Sequence, residues 1–225
     1  YGSRHAGGAA NNADRCQQGD QSCNSTTIVG MYATARAFAA LMSDATLYTW
    51  GNVHAAAVVP VALRSLLQNV AQVATTREAF AVLRSDGRVV AWDSAICGGD
   101  TSSVDQELQS GVLYLSSSKV LFTAVKAYGK LVVWGYGRYG GDTSAVQNQI
   151  CAKVVAVAYT FTAVSALKKS DGTVVAWGKA DGGWDSSGVH AQLQDVVKIY
   201  SISRAFAALT AAGGVAAWGK ASDGG

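Results

Sequence analysis

The residue types that usually catalyse reactions or bind metals are few and scattered in this sequence. The three histidines, His5, His54 and His190, lie far apart and lack the spacing of metal ligands. The glycine-rich segment Gly137–Gly141 lacks the Lys-Ser/Thr pair of a phosphate-binding loop. No Gly-x-Ser-x-Gly motif and no convincing Ser/His/Asp or Cys/His combination is present. We therefore expect a protein that is not an enzyme and that holds no metal or cofactor.

Two aspartates occupy the same place in two similar segments. Asp100 and Asp142 each follow Gly-Gly and precede Thr-Ser. Such carboxylates could form a cation site, but each also precedes a Val-x-x-x-Leu or Val-x-x-x-Ile pattern that is typical of a short helix. Because the start of a helix needs an oxygen acceptor, the sequence predicts that both aspartates are helix N-caps.

The four cysteines form two candidate pairs. Cys16 and Cys23 lie in a polar insertion, Ala13–Asn24, for which we predict a loop closed by a disulfide; the alternative is two free thiols. Cys97 and Cys151 could form a second disulfide or remain buried free thiols. Disulfides would favour an oxidising compartment or an organelle lumen, reached after removal of a targeting segment; the compartment is otherwise unknown.

Large aromatic and arginine side chains between the regular segments are candidates for binding another protein. Trp184 lies in Asp181-Gly182-Gly183-Trp184-Asp185, and Tyr136, Arg138 and Tyr139 lie in an earlier connection. These are residue types that often dominate the energy of protein interfaces. The alternative is that the Trp184 side chain packs against its own part of the chain and is not available to a partner.

A repeat of 42 residues positions all of these candidates. Its clearest copy is Ala79–Trp92, AFAVLRSDGRVVAW, which predicts two strands joined by a tight turn at Asp86-Gly87. The same apolar position recurs at Phe38, Phe80, Phe122, Val164 and Phe206. A tryptophan closes each copy, and these tryptophans are Trp50, Trp92, Trp134, Trp177 and Trp218. Because they occupy one equivalent place per copy, we expect them to pack between copies.

A fixed period of this length is typical of propellers and solenoids. In the second copy we predict strands Val70–Thr75, Ala79–Arg84 and Arg88–Trp92, with equivalent strands in the others. The single domain then divides into units of approximately 1–50, 51–92, 93–134, 135–177 and 178–218, with a partial unit 219–225. We expect an all-β fold, a β-propeller of about five three-stranded blades with short helical turns between them. A closed ring of five blades is favoured over an arc of a larger ring, because the chain begins and ends at nearly the same phase of the repeat.

The composition excludes several classes of partner. The chain has 225 residues, 49% hydrophobic and 15% charged, with a net charge of +3 and no basic block. Nucleic acid is therefore not an expected partner. No apolar run is long enough for a transmembrane helix, although contact with a membrane complex at its periphery stays open.

The repeat resembles the regulator-of-chromosome-condensation (RCC1-like) repeat over nearly the whole chain. The shared pattern is an apolar-x-x-apolar pair, then Ala-Phe-Ala-x-Leu, then Asp-Gly-x-Val-Val-x-Trp-Gly, best seen in Val70–Trp92 and Val154–Gly178. The compact repeat is similar to a subgroup of about 42 residues that is common in predicted proteins of unicellular algae. The best-known members have seven blades and longer repeats. They also carry a small residue and a His before the second strand, where this chain has Thr76, Thr160 and Ser203.

The resemblance implies a β-propeller but not one activity, because the family includes exchange factors, ubiquitin-ligase modules, a light sensor and a secreted enzyme inhibitor. We expect a non-catalytic scaffold that binds protein partners in a multi-subunit assembly. A peripheral or lumenal accessory subunit of an algal photosynthetic membrane complex, such as a photosystem, is one such role. The alternatives are a secreted propeller that binds carbohydrate or inhibits an enzyme, and an exchange factor for a small GTPase.

Overall fold

The computed structural model describes residues 26–52, 58–169 and 171–225. These residues form five antiparallel sheets of three strands, and each sheet consists of strands that are consecutive in the sequence. The predicted all-β fold of five three-stranded blades is therefore confirmed. The strands are β1 Ile28–Ala33, β2 Ala37–Met42, β3 Leu47–Gly51, β4 Val70–Thr75, β5 Ala79–Arg84, β6 Val89–Asp93, β7 Val112–Ser117, β8 Leu121–Lys126, β9 Leu131–Gly135, β10 Val154–Tyr159, β11 Ala163–Lys168, β12 Val174–Gly178, β13 Val196–Ser201, β14 Ala205–Thr210 and β15 Val215–Gly219. We number the sheets as blades 1 to 5.

Short helices occupy the connections. The α-helices are α1 Val61–Arg64, α2 Asp105–Leu108 and α3 Gln147–Ile150. The 3₁₀ helices are Ala95–Cys97, Ala127–Gly129, Gly137–Tyr139, Ala180–Gly182, Ser187–Gln192 and Ala221–Asp223. Across the described ranges, none of these helices has the length and apolar character needed to cross a membrane.

Asp100 and Asp142 do not cap the helices, which corrects the sequence prediction. The N-cap residues of α2 and α3 are Val104 and Val146, and neither makes a side-chain capping hydrogen bond. Each aspartate instead accepts a hydrogen bond from the backbone N–H two residues later, at 2.9 Å from Ser102 and 3.0 Å from Ser144. These bonds form local Asx turns and hold the pKa of both aspartates below the ordinary value.

A Phe–Trp pair forms the centre of three of the four blade junctions, and Val164 with Trp177 takes its place between blades 3 and 4. Phe80 faces Trp92 across strands β5 and β6, and their ring centroids are 5.4 Å apart in a stacked arrangement. The pair packs against Ala37, Ala39 and Leu47 of blade 1. We call the face that carries the pair the incoming face of a blade, and the opposite face its outgoing face. The expected packing of the repeat tryptophans between blades is confirmed for Trp92, Trp134, Trp177 and Trp218, which are buried, but not for Trp50, which is exposed among the described residues.

The first strands of neighbouring blades lie next to each other. The Gln72 side-chain amide donates to the backbone carbonyl of Leu115 and accepts from its N–H, both at 2.8 Å. These two bonds imitate the pairing of neighbouring strands and join blade 2 to blade 3. The strands β4 and β7 therefore converge, as the innermost strands of a propeller do.

The two end faces do not meet within the part of the chain that the structure describes. Phe38 and Trp50, on the incoming face of blade 1, are 48% and 41% exposed. Val215, on the outgoing face of blade 5, is 69% exposed. The favoured closed ring of five blades is therefore not what the described residues form. They form an open arc, because neither end face covers the other.

Candidate protein-binding surface

One edge of the arc carries all four residues that the sequence suggests for partner binding. At this edge the first strand of each blade ends, the second begins and the third ends. We call it the connection rim; it comprises the turns 34–36, 76–78, 118–120, 160–162 and 202–204 and the 3₁₀ helices that follow the third strands. The backbone N–H of Lys179 donates to the carbonyl of Thr162 at 2.8 Å, and Tyr136 donates to Val120 at 3.1 Å. Each 3₁₀ connection is thus fixed to the turn of its own blade.

Two threonines hold these connections in place. The Thr76 hydroxyl donates to the carbonyl of Cys97 at 2.9 Å and accepts from the N–H of Ala79 at 3.1 Å. Thr160 makes the equivalent bonds to Gly182 at 2.7 Å and from Ala163 at 3.0 Å. Both threonines are buried. The small polar residue at this position therefore connects the turn, the second strand and the 3₁₀ helix.

Tyr136, Arg138 and Tyr139 lie together on the connection after blade 3. The rings of Tyr136 and Tyr139 meet edge to face with centroids 4.6 Å apart. Arg138 is exposed between them, on the 3₁₀ helix Gly137–Tyr139. The left-handed Gly140, with φ of 108°, ends this helix. The structure thus groups three of the four suggested residues on one turn.

The next connection places charged groups beside Tyr139. Lys179 pairs with Asp181 at 2.9 Å, and this carboxylate raises the pKa of Lys179. The Tyr139 phenol also raises the pKa of Lys179, whereas the Arg204 guanidinium of blade 5 lowers it. Residues from blades 3, 4 and 5 therefore share one region of the connection rim, with aromatic, basic and acidic groups in proximity.

Trp184 occupies a place where three other copies have glycine. In the connections after blades 2 to 5 a left-handed glycine ends the 3₁₀ helix, and these glycines are Gly98, Gly140, Gly183 and Gly224. The next residue is Gly99, Gly141 or Gly225 after blades 2, 3 and 5 and Trp184 after blade 4. A Cβ added to Gly99 would lie 2.4 Å from the carbonyl oxygen of Asp93, and one added to Gly141 would lie 2.6 Å from that of Gly135. The connection at Trp184 must therefore differ locally.

This exchange coincides with the loss of a hydrogen bond in the core. The indole N–H of Trp134 donates to Gly98 at 2.9 Å, and that of Trp177 donates to Gly140 at 2.8 Å. The equivalent group of Trp218 is buried and has no hydrogen-bond partner among the described residues. Trp184 itself is 43% exposed, so it does not fold down fully on its own blade.

One further aromatic residue of this rim was not predicted from the sequence. Phe161 lies in the turn between β10 and β11 and is exposed, and the Lys119 ammonium sits 3.9 Å from the centre of its ring. The N–H of Phe161 donates to the carbonyl of Ser203 in the next blade at 2.9 Å. The available signal was the 42-residue spacing, which places Phe161 where other copies carry Ala35, Arg77, Lys119 and Ser203.

The cysteines do not support the second predicted disulfide. Cys97 is a buried free thiol between blades 2 and 3, and Cys151 is an exposed free thiol at the end of α3. The two side chains lie in successive connections with blade 3 between them, so a Cys97–Cys151 bond is corrected to two free thiols. Cys16 and Cys23 lie outside the described residues, as do His5 and His54. Over the described ranges, no cluster of three or more His, Cys, Asp or Glu side chains could hold a metal ion.

Comparison with known proteins identifies a fold rather than a family. No family model and no curated protein matches the sequence. Human WBSCR16 is similar in structure, with 18% identity and a TM-score of 0.53 over 86% of this chain and 62% of that one. Prp20p from Saccharomyces cerevisiae shows 17% identity and a TM-score of 0.54 over 85% of this chain and 57% of that one. The ectodomain of the Arabidopsis thaliana receptor kinase ACR4 shows 11% identity and a TM-score of 0.50, over 89% and 66% of the two chains.

These neighbours support an RCC1-like propeller fold. Prp20 is the yeast RCC1 protein, and its solved structures are described with binding to Gsp1p and histones and with Kap60 bound. The present chain spans about three fifths of the length of WBSCR16 and Prp20p. At these identities the likeness establishes the architecture, and function has to be argued from the surface itself.

Proposed function

We propose that the protein is a non-catalytic scaffold that binds another protein through the connection rim of blades 3 to 5. The observation that carries this proposal is Trp184, an exposed tryptophan at a position where three other copies have a tightly packed glycine. This exchange disturbs a close turn and accompanies an unsatisfied indole in the core. A residue that works against the local packing of its own repeat is best explained by a function at the surface.

The surroundings of Trp184 suit a protein partner. Tyr136 and Tyr139 can bury a large apolar area with little loss of side-chain entropy, and Arg138 can pair with a carboxylate in two-pronged geometry. The Lys179–Asp181 pair and Arg204 add polar groups around them. Aromatic anchors with a polar rim are the usual composition of a protein interface.

The structural neighbours agree with a binding role. Yeast Prp20 is described with three protein partners, Gsp1p, histones and Kap60, which shows that this fold can serve protein binding. For the present chain we extend the proposal to an accessory subunit of a multi-subunit assembly. A photosynthetic membrane complex of algae is the assembly that we would examine first.

The test compares three forms of the tagged chain in affinity purification from its source. Trp184→Gly restores the residue of three other copies, so it should preserve the fold while removing the anchor. Tyr128→Ala is the matched control, because Tyr128 is 93% exposed in a turn on the opposite edge. We expect one protein to be retained by the wild type and by Tyr128→Ala but not by Trp184→Gly.

Affinity for that protein then gives the size of the effect. We expect Trp184→Gly and Tyr139→Ala each to weaken binding by more than about 1 kcal/mol, with unchanged circular dichroism. Unchanged affinity in both variants would place the binding surface away from the connection rim. Binding of a glycan without any protein partner would favour the carbohydrate-binding alternative.

A further inference from the structure

We infer that the turns after the innermost strands bind an extended acidic segment of the partner protein, one that also carries apolar side chains. We call the turns 34–36, 76–78, 118–120, 160–162 and 202–204 the inner turns. This rests on the proposed function, from which we take it that the partner is a protein. The segment that the inner turns select is argued from their own contacts, charges and exposed side chains.

Contacts between blades join the inner turns into one continuous row. Ala35 donates its backbone N–H to the carbonyl of Arg77 at 2.7 Å, and Arg77 donates to Lys119 at 2.8 Å. Phe161 donates to Ser203 at 2.9 Å. Lys119 and Phe161 are joined by their side chains, with the ammonium 3.9 Å from the centre of the ring. The five turns therefore present one surface that crosses all five blades.

This row carries an excess of positive charge. Its basic residues are Arg36, Arg77, Lys119 and Arg204, all of them exposed, and its acidic residue is Glu78. The inner turns thus have a net charge of +3, which equals the net charge of the whole chain. The remaining residues balance to zero, so the excess charge of the molecule is concentrated on this row.

Ion pairs neutralise little of this charge. Among the described residues, Arg36 and Lys119 form no ion pair. Arg77 and Glu78 lie 3.8 Å apart with the Arg77 side chain 67% exposed, and such surface pairs contribute little. Carboxylates of a ligand would therefore find cations that are available for pairing.

Arg204 connects the inner turns to the surroundings of Trp184. It lowers the pKa of Asp181, but this carboxylate already pairs with Lys179 at 2.9 Å. Gly183, which precedes Trp184, approaches the same turn, because a Cβ added to it would lie 3.5 Å from the Arg204 carbonyl oxygen. One partner can therefore contact both the anchor residues of the proposed function and the inner turns.

Two apolar side chains interrupt the basic row at blades 4 and 5. Phe161 is 44% exposed and Ile202 is 58% exposed. Ile202 takes the place at which Thr76 and Thr160 are buried and bond to the connections. An occupant of the row must therefore offer apolar side chains as well as carboxylates.

A peptide fits these features better than a nucleic acid does. Bases bind single-stranded sites by stacking on free aromatic faces, but the Lys119 ammonium already covers one face of Phe161. Ile202 offers a sugar–phosphate chain no polar contact. Neighbouring turns that share backbone hydrogen bonds lie about 5 Å apart, so an extended peptide of about six to eight residues spans all five.

The test measures binding of three labelled octapeptides to the full chain. Each contains two leucines and two serines; one carries four glutamates, and glutamine or lysine replaces the glutamates in the other two. We expect the glutamate peptide to bind at least about tenfold tighter than the glutamine peptide, and the lysine peptide not to bind. Raising the ionic strength from about 0.05 to about 0.5 M should weaken binding of the glutamate peptide, because salt screens exposed charges.

Two double variants locate the site. Arg77→Gln with Lys119→Gln should weaken binding of the glutamate peptide by about tenfold or more. Lys153→Gln with Lys169→Gln is the matched control, because it removes two exposed positive charges from the opposite edge and changes the net charge equally. We expect the control to bind within about twofold of the wild type, because distant exposed charges are screened. Circular dichroism checks that both variants are folded.

Three results would overturn the inference. One is equal binding of the glutamate and glutamine peptides. Another is an equal loss of affinity in the two double variants, because the attraction would then depend only on net charge. The third is tighter binding of a single-stranded octanucleotide than of the glutamate peptide, because the row would then select phosphates.

Trp184→Gly separates this inference from the proposed function. It should bind the glutamate peptide as the wild type does, because Trp184 lies outside the inner turns. If a protein is retained through Trp184 but the glutamate peptide shows no preference, the proposed function stands and the inference fails. If the glutamate peptide binds at the inner turns but no protein is retained, the acidic preference stands and the proposed function fails.

Discussion

Phe80 and Phe38 each stack on the repeat tryptophan of their own blade, but only Phe80 is covered by a neighbouring blade among the described residues. Phe80 is fully buried against blade 1, whereas Phe38 is about half exposed. Phe80→Ala should therefore lower the free energy of unfolding by about 3–5 kcal/mol. Phe38→Ala should lower it by roughly 1 kcal/mol, because only part of its apolar surface is removed from water. Urea denaturation of both variants measures the difference, and equal losses would contradict the assigned packing.

The repeat tryptophans should also differ in how much their indole N–H groups contribute to the free energy of unfolding. Trp134→Phe removes a hydrogen bond to Gly98 and leaves that buried carbonyl without its partner. Trp218→Phe removes an N–H that has no partner among the described residues. We expect Trp134→Phe to cost about 1–2 kcal/mol more than Trp218→Phe, since a buried group left unpaired is expensive. Thermal or chemical unfolding of the two variants is the measurement, and a larger loss for Trp218→Phe would contradict the prediction.

Tyr159 gives the fold a dependence on alkaline pH. Burial raises the pKa of Tyr159 from 10 to about 12, and its hydroxyl contacts that of Thr123 at 2.5 Å. Because the folded pKa lies above the unfolded value, its contribution is complete below pH 10 and is lost as the pH rises toward 12. The loss should be on the order of 2 kcal/mol. At neutral pH, Tyr159→Phe should be less stable than the wild type. Between pH 10 and 12 its free energy of unfolding, measured by chemical unfolding, should change less with pH than that of the wild type. An equally steep decline in both would assign the effect to other groups.

At the scale of elements, the residue after the repeat tryptophan sets a strained backbone position. It is glycine in four blades, with φ between 118° and 136° at Gly51, Gly135, Gly178 and Gly219, and Asp93 with φ of 87° in blade 2. The backbone N–H of the next residue donates a hydrogen bond to the turn between the first two strands of its blade. In blade 2 this bond, from Ser94 to the carbonyl of Glu78, is 3.3 Å long, whereas the equivalent bonds in the other blades are 2.8–3.1 Å long. Asp93→Gly should therefore raise the free energy of unfolding by about 0.5–1 kcal/mol. A loss of stability would show that the contacts of the Asp93 side chain outweigh the strain.

The strands could be read from the sequence because the apolar positions repeat with both the strand period and the blade period. In blade 2, β4 and β5 have the predicted bounds and β6 is shifted by one residue. The structure of the connections between blades was harder to predict from the sequence. Gly-Gly pairs occur at two different places relative to the 3₁₀ helix, because the left-handed cap is the first glycine in Gly140-Gly141 and the second in Gly182-Gly183. The role of Asp100 was also missed, because an Asx turn and a helix cap require the same residue type and differ only in which N–H lies within reach.

At the scale of the whole molecule, repeat spacing counts blades but does not fix the angle between them. That angle depends on the side chains packed at each junction, which include Leu108 and Ile150 from the connections. A sequence with five copies is therefore compatible with a closed ring or with an arc. The exposure of Phe38 and Val215 distinguishes them in the described residues, and no feature of the spacing could have done so.

An open arc should lose structure from its ends. Blade 3 is covered on both faces, whereas blades 1 and 5 each have one face without a neighbouring blade among the described residues. In repeat proteins stability is approximately a sum of terms for each unit and each junction, so an end unit that lacks one junction opens more easily. A junction term of only about 1.4 kcal/mol changes the opening equilibrium about tenfold. We therefore expect amides of the central strands β8, β5 and β11 to exchange with solvent deuterium at least about tenfold more slowly than those of β2 and β14. Native-state hydrogen exchange resolved by strand is the measurement, with Phe38→Ala expected to leave the protection of β8 unchanged. Equal protection of all five blades would mean that the arc opens as one unit and that its end faces are stabilised as well as its interior.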